Sequence, residues 1–356
     1  MTAQADRTAP EAAGAGLVTR LGETIASRLR GFVAPGQDFA LLDFPDHSNV
    51  GDSAIWLGEL AAFRALGGGA PGYVATKDAF DAEALRRAVP DGPIFLHGGG
   101  NFGDLWPEHQ LFRERILAQF PDRAIVQLPQ TVHFAAQVAR DRAAAAIAAH
   151  PRFVLMVRDA ASQALAESRF DCAVHPVPDM AFALGAQSGA AAPTVRLLLL
   201  LRTDKERAAG LHAAPPALPA GALVRDWLDE PPRLHDRAAW RTRLAAPFLL
   251  GTACTDPARR RELLFRDLAA RRLARGLGML SAASFVITDR LHCHILCLLL
   301  GVPHIVLDNS YGKLSGFIGA WTRECGLVRM VPTLDAALAL WAAEPGDAKP
   351  GAAAAA

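Results

Sequence analysis

The stretch SFVITDRLHCHILCLLLGVPHIVLD, residues 284–308, decides how the chain is read. SFVITD (284–289) and PHIVLD (303–308) are short apolar runs rich in β-branched residues, as strands are. RLHCHILCLLLG (290–301) lies between them, too long for a hairpin and suited to a crossover helix closed by glycine. Apolar strands without polar alternation are buried on both faces, which implies a parallel sheet covered by helices. The stretch also poses a problem. Asp289, Arg290, His292 and His294 fall within six residues of an apolar segment. Charges in such surroundings are costly unless they are paired or engaged by a ligand.

The same alternation runs upstream. FALLDF (39–44), GYVAT (72–76), PIFLHGGG (93–100), AIVQLP (124–129) and FVLMVRD (153–159) read as strands. Segments 53–66, 81–89, 108–120 and 137–150 read as the helices between them. This is the pattern of a doubly wound α/β fold. GAQSGAAAPT (185–194) reads as a linker, and VRLLLLLR (195–202) as the first strand of a second sheet. Gly210 to Pro247 is rich in proline and tryptophan and shows no clear period. Regular order resumes with FLLGTAC (248–254) and a long helix through ELLFRDLAARRLARGLGML. The expected organisation is an N-terminal arm with one helix, around Leu17 to Arg30 (1–35), and an α/β domain (36–185). A second α/β domain (195–335) and a C-terminal helix with a disordered tail (336–356) follow. Two such domains facing each other make a cleft, with ligands at the carboxyl ends of strands.

Composition excludes some functions. The 356 residues carry a net charge of +1, which gives no broad field for nucleic acid. Cys172, Cys254, Cys293, Cys297 and Cys325 form neither a C-x-x-C pair nor a zinc-ligand spacing, so buried reduced thiols are expected. The N-terminus lacks the apolar core of a signal peptide, and no run matches a membrane span. A cytoplasmic protein is expected. The amphipathic patch at Leu17–Arg30 would suit either a packing helix or peripheral contact with the inner face of a membrane.

Most unusual residues follow strands. In HSNVGDSAIW (47–56), Asn49, Gly51 and Asp52 make a strand-to-helix turn. Asp52 or Ser53 is the expected N-cap, and the helix N-terminus could equally face an anion or a sugar hydroxyl. HGGGNFGD (97–104) matches G-x-G-x-x-G at Gly98, Gly100 and Gly103. No acidic residue closes a following strand, so a dinucleotide site is disfavoured. The chain has no G-x-S-x-G elbow either. What remains is a tight turn, or exposed backbone N–H groups that bind anions or carbohydrate oxygens. LPQTVHF (128–134) places Gln130, Thr131 and His133 at a strand end. Arg158 in VRD (157–159) either pairs locally or points into the cleft. Within the helix from residue 290, Arg290 and His294 share one face. LDNSYGK (307–313) adds Asp308, Asn309 and Lys313 after the last strand.

Taken in order, GDSAIW, HGGGNFGD, LPQTVHF, VRD, TDRLHCHILCLLLGVPH and LDNSYGK resemble the motifs of polysaccharide pyruvyl transferases, the bacterial exopolysaccharide branch most of all. The resemblance covers about residues 36–330. It implies two Rossmann-like domains in a GT-B-like arrangement. It implies phosphoenolpyruvate as donor substrate, with no cofactor and no metal. A saccharide or lipid-linked oligosaccharide diol would be the acceptor, a cyclic pyruvate ketal the product and phosphate the by-product. It assigns donor binding to Arg158, to Arg290, Leu291 and His292 of R-L-H, and to His133. Catalysis would fall to His292 and Arg290. Asn49, Asp52, Gly99, Gly100, Asn101, Asp104, Gln130, His294, Asn309 and Lys313 are then candidate acceptor or phosphate contacts. The chemistry agrees. Guanidinium groups offer planar paired donors to carboxylate and phosphate, and histidine can exchange protons near neutrality. Two other readings keep the cleft: a sugar-nucleotide glycosyltransferase using Arg158, Arg290 and Lys313 on a diphosphate, and a non-catalytic saccharide-binding protein of the export machinery.

Overall fold

The computed structural model describes residues 3–189, 192–203, 218–308 and 313–344. Two parallel sheets account for the strands. The first holds β1 (Ala40–Leu42), β2 (Tyr73–Ala75), β3 (Ile94–Leu96), β4 (Gly99–Gly103), β5 (Ile125–His133), β6 (Phe153–Val157) and β7 (Ala173–Pro176). Its order is β2-β1-β3-β5-β6-β7, and β4 pairs with the far half of β5, resuming the line of β3. The second sheet holds β8 (Leu197–Leu200), β9 (Ala222–Arg225), β10 (Val286–Thr288), β11 (His304–Leu307) and β12 (Val328–Val331), in the order β12-β11-β10-β8-β9.

Helices α1 (Ala3–Leu29), α2 (Val50–Ala65), α3 (Ala82–Ala88), α4 (Pro107–Gln119), α5 (Gln137–Ala148) and α6 (Ala160–Arg169) belong to the first half of the chain. The second half contributes α7 (Leu234–Leu250), α8 (Pro257–Ser281), α9 (Leu291–Leu300), α10 (Lys313–Trp321) and α11 (Leu334–Ala342). Both units are Rossmann-like. In each, the chain leaves the first strand in one direction and later returns on its other side. That creates a switch point between β1 and β3 in one sheet and between β8 and β10 in the other, where crevices form at strand ends.

The two sheets share one apolar core. Residues of α1, α2, α8 and α9 are buried in the same cluster as β1, β10 and the 3-10 turn Met180–Leu184. α8 precedes β10 in sequence yet docks on the first sheet's side, where Phe265 stacks on Phe44 with ring centres 3.9 Å apart. Arg272 of α8 is buried and binds Glu230 at 2.7 Å and Asp46 at 3.2 Å. Close packing of α2 on the 3-10 turn needs glycine: a Cβ at Gly58 would lie 2.0 Å from the Met180 carbonyl oxygen.

Several elements differ from the sequence expectation. The N-terminal arm is one continuous helix whose Val18, Leu21, Ile25 and Leu29 are buried in the shared core. Its apolar face is thus used for packing. Among the described residues no helix is long and apolar enough to cross a membrane. FLLGTAC is split between the end of α7 and a 3-10 turn, Gly251–Thr255. The unassigned Gly210–Pro247 region supplies β9 and most of α7; residues 210–217 lie outside the described residues, as does the tail from 345. Among the cysteines, Cys293, Cys297 and Cys325 are buried, and Cys172 and Cys254 are half-buried.

His294 belongs to the core instead of the candidate site. Arg290 is the extended N-cap of α9, so Arg290 and His294 do not share a helical face as the sequence suggested. His304 Nδ1 donates to the Val302 carbonyl at 2.9 Å. Its Nε2 then accepts from His294 Nδ1 at 2.7 Å, and His294 Nε2 accepts from the Thr322 hydroxyl at 2.9 Å. Burial pushes His304 down to about 4 and His294 well below the ordinary histidine value. The unfolded chain protonates His304 near pH 6.5, but the folded protein does not until about pH 4. Stability is therefore full above about pH 7 and declines as pH falls between those values. Urea titrations should show a loss on the order of 3 kcal/mol from His304 over that window. The double variant His294→Gln/His304→Gln should be less stable at pH 7.5 yet show a flatter acid decline.

Candidate active site

A cavity of about 730 Å³ lies between the carboxyl ends of the two sheets. The first sheet contributes Asp43 after β1, His97 after β3 and Arg158 after β6. The second contributes Arg202 after β8 and Arg290, Leu291 and His292 after β10. Both switch points open into this one space.

Arg158 is 1% exposed and held on several sides. Its Nε donates to Thr131 Oγ1 at 3.0 Å and its Nη1 to Asp179 Oδ2. Its carbonyl accepts from the Trp321 indole at 2.8 Å. Nη2 makes no hydrogen bond among the described residues. Burial alone would raise the Asp179 carboxyl, but the Arg158 guanidinium, with His292 and the Ala181 N–H, holds it well below the usual carboxylate range. His292 enters from the opposite sheet. Its Nε2 lies 3.5 Å from Arg158 Nη1 and 3.5 Å from Asp179 Oδ2. A neutral ring can accept from the arginine, and a protonated one can donate to the aspartate, so His292 has a partner in either state.

Arg290 is 2% exposed. Its backbone N–H donates to Thr288 Oγ1 at 3.0 Å, and its Nη2 donates to Asp226 Oδ2 at 2.7 Å. The guanidinium also sits 5.8 Å from the Trp227 ring centre. Asp289, just before Arg290, accepts from the Arg202 N–H at 2.8 Å.

α2 brings its N-terminus to the same place. The N-cap is Asn49, not Asp52 or Ser53, because its side chain accepts from the Gly51 N–H at 3.1 Å. Asn49 Nδ2 also donates to Asp52 Oδ2 at 2.7 Å. Burial opposes the Asp52 charge, but His47, His292, His97 and Arg158 together lower its carboxyl from the ordinary value. Gly51 faces His292 so closely that a Cβ would lie 2.2 Å from its Nδ1.

The glycine motif, read as a tight turn or as exposed N–H groups for anions or carbohydrate oxygens, is built into the sheet. Residues 99–103 form β4, and three of the local N–H groups are taken by side chains. The Gly98 N–H bonds Glu59 at 2.9 Å, Asn101 bonds Gln130 at 3.1 Å and Gly103 bonds Gln110 at 3.2 Å. Gly100 and Asn101 still line the cavity. Gly99, Asp104, Gln130 and His133 are not in its wall. Asp104 accepts the Ala135 and Ala136 N–H groups ahead of α5, and Gln130 braces Asn101 and the His97 carbonyl. His133 is carried away because β5 runs to residue 133, three residues beyond Gln130 and about 10 Å along a strand. Asn309 and the Lys313 side chain lie outside the described residues.

Asp43, Asp179, Asp226 and His97 do not stand out in the sequence as site residues. Asp43 was absorbed into the apolar run FALLDF, although an acid at a strand end is itself a signal. Asp226 lay in the region without a period.

A model of the family described as polysaccharide pyruvyl transferase matches residues 49–311. Pyruvyl transferase 1 of Schizosaccharomyces pombe is 34% identical over 317 residues, 85% of this chain and 74% of that protein. EpsO of Bacillus subtilis is 29% identical over 303 residues, 81% of this chain and 87% of its own length. A crystal structure of an uncharacterized protein from Klebsiella pneumoniae aligns with a TM-score of 0.52 at 16% identity, over 84% of this chain and 94% of that one, a likeness of fold alone.

Two substitutions test the packing of this site. Asp179→Ala leaves the Arg158 charge buried without its counter-ion and should cost about 3–5 kcal/mol in urea unfolding. Gly51→Ala should cost about 1–3 kcal/mol by overpacking and displace His292, visible as a shifted imidazole resonance in NMR spectra.

Proposed function

The chain belongs to the polysaccharide pyruvyl transferase family, and from that premise we propose that it transfers pyruvate from phosphoenolpyruvate to a saccharide diol. The product is a cyclic ketal and the by-product phosphate, in the synthesis of an exopolysaccharide or other surface glycan. One observation carries the reading: Arg158 and Arg290, from opposite sheets, line the same cavity with His292 between the first sheet's ion pair and the space.

Phosphoenolpyruvate brings a carboxylate and a phosphate, together about three negative charges. Arg158 has Nη2 uncommitted, and its ion pair with Asp179 fixes the guanidinium plane against the cavity wall. Arg290 is fixed likewise by Asp226. Held arginines lose little freedom on binding an oxyanion, which favours tight, oriented binding. The acceptor lies elsewhere in the same space, so both substrates meet at C2 of the donor.

The chemistry begins when C3 of the enol ester takes a proton, leaving a cationic C2 stabilised by its oxygen. A saccharide hydroxyl adds to C2, and the second hydroxyl displaces phosphate. The enzyme must supply a proton to C3 and remove one from the attacking hydroxyl. His292 is the proton donor in this reading, since Arg158 and Asp179 give its ring a partner before and after the transfer. Donor binding then falls to Arg158, Arg290, Leu291 and His292, of which all four face the cavity.

Arg290 is buried beside Asp226, so lysine, which keeps the charge, is the better probe there. Arg158→Lys and Arg290→Lys should each weaken phosphoenolpyruvate binding roughly 10- to 150-fold by calorimetry, the equivalent of about 1.5–3 kcal/mol. His292→Gln should weaken that affinity less than either arginine change does and lower turnover about 10²–10⁴-fold, read as phosphate release and ketal mass. Stabilisation of the protein by a nucleotide sugar, with none by phosphoenolpyruvate, would replace this reading with glycosyl transfer.

A further inference from the structure

At the first sheet's switch point stand two acid–histidine pairs that the steps above leave unused. β1 and β3 are neighbours in register, Leu42 opposite Leu96, so Asp43 and His97 follow side by side at the strand ends. The His97 N–H donates to the Leu42 carbonyl at 3.0 Å. Each side chain has one atom committed to a partner. Asp43 Oδ2 accepts from His109 Nδ1 at 2.7 Å, and His97 Nδ1 donates to Glu59 at 2.9 Å. Each also has one atom that is not committed. Asp43 Oδ1 and His97 Nε2 are buried with no hydrogen-bond partner among the described residues. The residues are 4% and 3% exposed, and both line the cavity.

Unsatisfied buried polar atoms are rare and costly in folded proteins. Two side by side, one an acceptor and one a ring nitrogen, call for a ligand. Asp43 also sits at φ +70°, one of two non-glycine residues in left-handed backbone among the described residues. Such strain concentrates where a side chain must be aimed. The Asp43 carboxylate disfavours an anionic occupant, so the donor's phosphate and carboxylate belong with the arginines. A neutral polyol fits the remaining end. Burial works against charge on His97, but Glu59, with Asp52 and Asp43, outweighs it and holds the ring above the ordinary histidine value. When the ring carries that charge, its Nε2 is a donor.

We propose that Asp43 and His97 form the acceptor subsite: one saccharide hydroxyl donates to Asp43 Oδ1, its neighbour accepts from His97 Nε2, and Asp43 is the catalytic base. This rests on the pyruvyl-transfer reading. As the first hydroxyl oxygen bonds to C2, its O–H bond breaks and the proton passes to Asp43 Oδ1. C3 receives a proton from His292. The second hydroxyl then forms the other C2–O bond, the C2–phosphate bond breaks, and that hydroxyl's proton leaves with phosphate. Through water, the proton on Asp43 restores His292, so no further reactant is needed. His109 is a positioning residue that holds Asp43 Oδ2.

Asp43→Gly is the informative variant, because glycine accepts the left-handed backbone and leaves room for a small carboxylate. Kinetics use phosphoenolpyruvate with the best acceptor from a set of p-nitrophenyl hexosides, and calorimetry measures phosphoenolpyruvate binding separately. The expected result is a fall in kcat of about 10²–10⁴-fold with phosphoenolpyruvate affinity within about twofold, and recovery of at least about tenfold on adding formate. His97→Gln should raise the KM for the hexoside at least about tenfold while sparing phosphoenolpyruvate affinity. If wild-type protein forms ketal but Asp43→Gly keeps kcat within about threefold, or its loss is not restored by formate, Asp43 is not the base. Failure of the wild-type protein to bind phosphoenolpyruvate overturns the pyruvyl-transfer reading instead.

Discussion

The ion pair between Arg158 and Asp179 is the constraint on which the site depends. Both side chains are almost wholly buried, and taking two charges out of water rarely increases stability by itself. What the pair does is fix a cation in place. Asp179 also accepts the Ala181 N–H at 2.9 Å, which ties the carboxylate to the 3-10 turn beneath α2. Arg158 is gripped from β5 by Thr131 and from α10 by Trp321. His292 completes the arrangement from the second sheet, so elements from both halves of the chain meet at one guanidinium.

That meeting is possible because the lobes share a core. α8 carries Arg272 and Phe265 across to the first sheet's loops, and α1 and α9 fill the space behind. The strand ends of the two sheets are thereby turned toward each other. Gly51 lets the α2 N-terminus approach His292 without a Cβ between them. The cavity wall then divides by charge. Arg158 and Arg290 form a basic part, while the acid–histidine pairs of Asp43 with His109 and of Glu59 with His97 form another. The proposed joining of an anionic enol ester to a polyol would use that division, since a uniformly basic cavity would bind donor anions in place of acceptor.

Much of this was legible in the residues. Continuous apolar runs at regular spacing placed the strands within a few residues, because a strand buried on both faces has no polar positions to hide it. VRD and TDRLH stood out because charges are rare in such runs, and both arginines line the cavity. Other parts were read wrongly for physical reasons. His294 and His292 look alike in sequence, two residues apart on one helix. The helix turn points one to the cavity and the other to His304 and Thr322. His133 and the glycine motif were placed by assuming short strands and free N–H groups. A longer β5 and the side chains of Glu59, Gln110 and Gln130 removed both assumptions.

By itself the sequence determined the α/β alternation, the break between two sheets and the arginines at strand ends. Those follow from local hydrophobic period and from the cost of a buried charge, which act on neighbours along the chain. Tertiary structure alone decided which acid meets which base: Arg158 with Asp179, Arg290 with Asp226, Asp43 with His109 and His97 with Glu59. Partners 21 to 66 residues apart are brought together by strand order and helix packing. Hydrogen bonding acts over about 3 Å of space, and separation along the chain does not encode that distance.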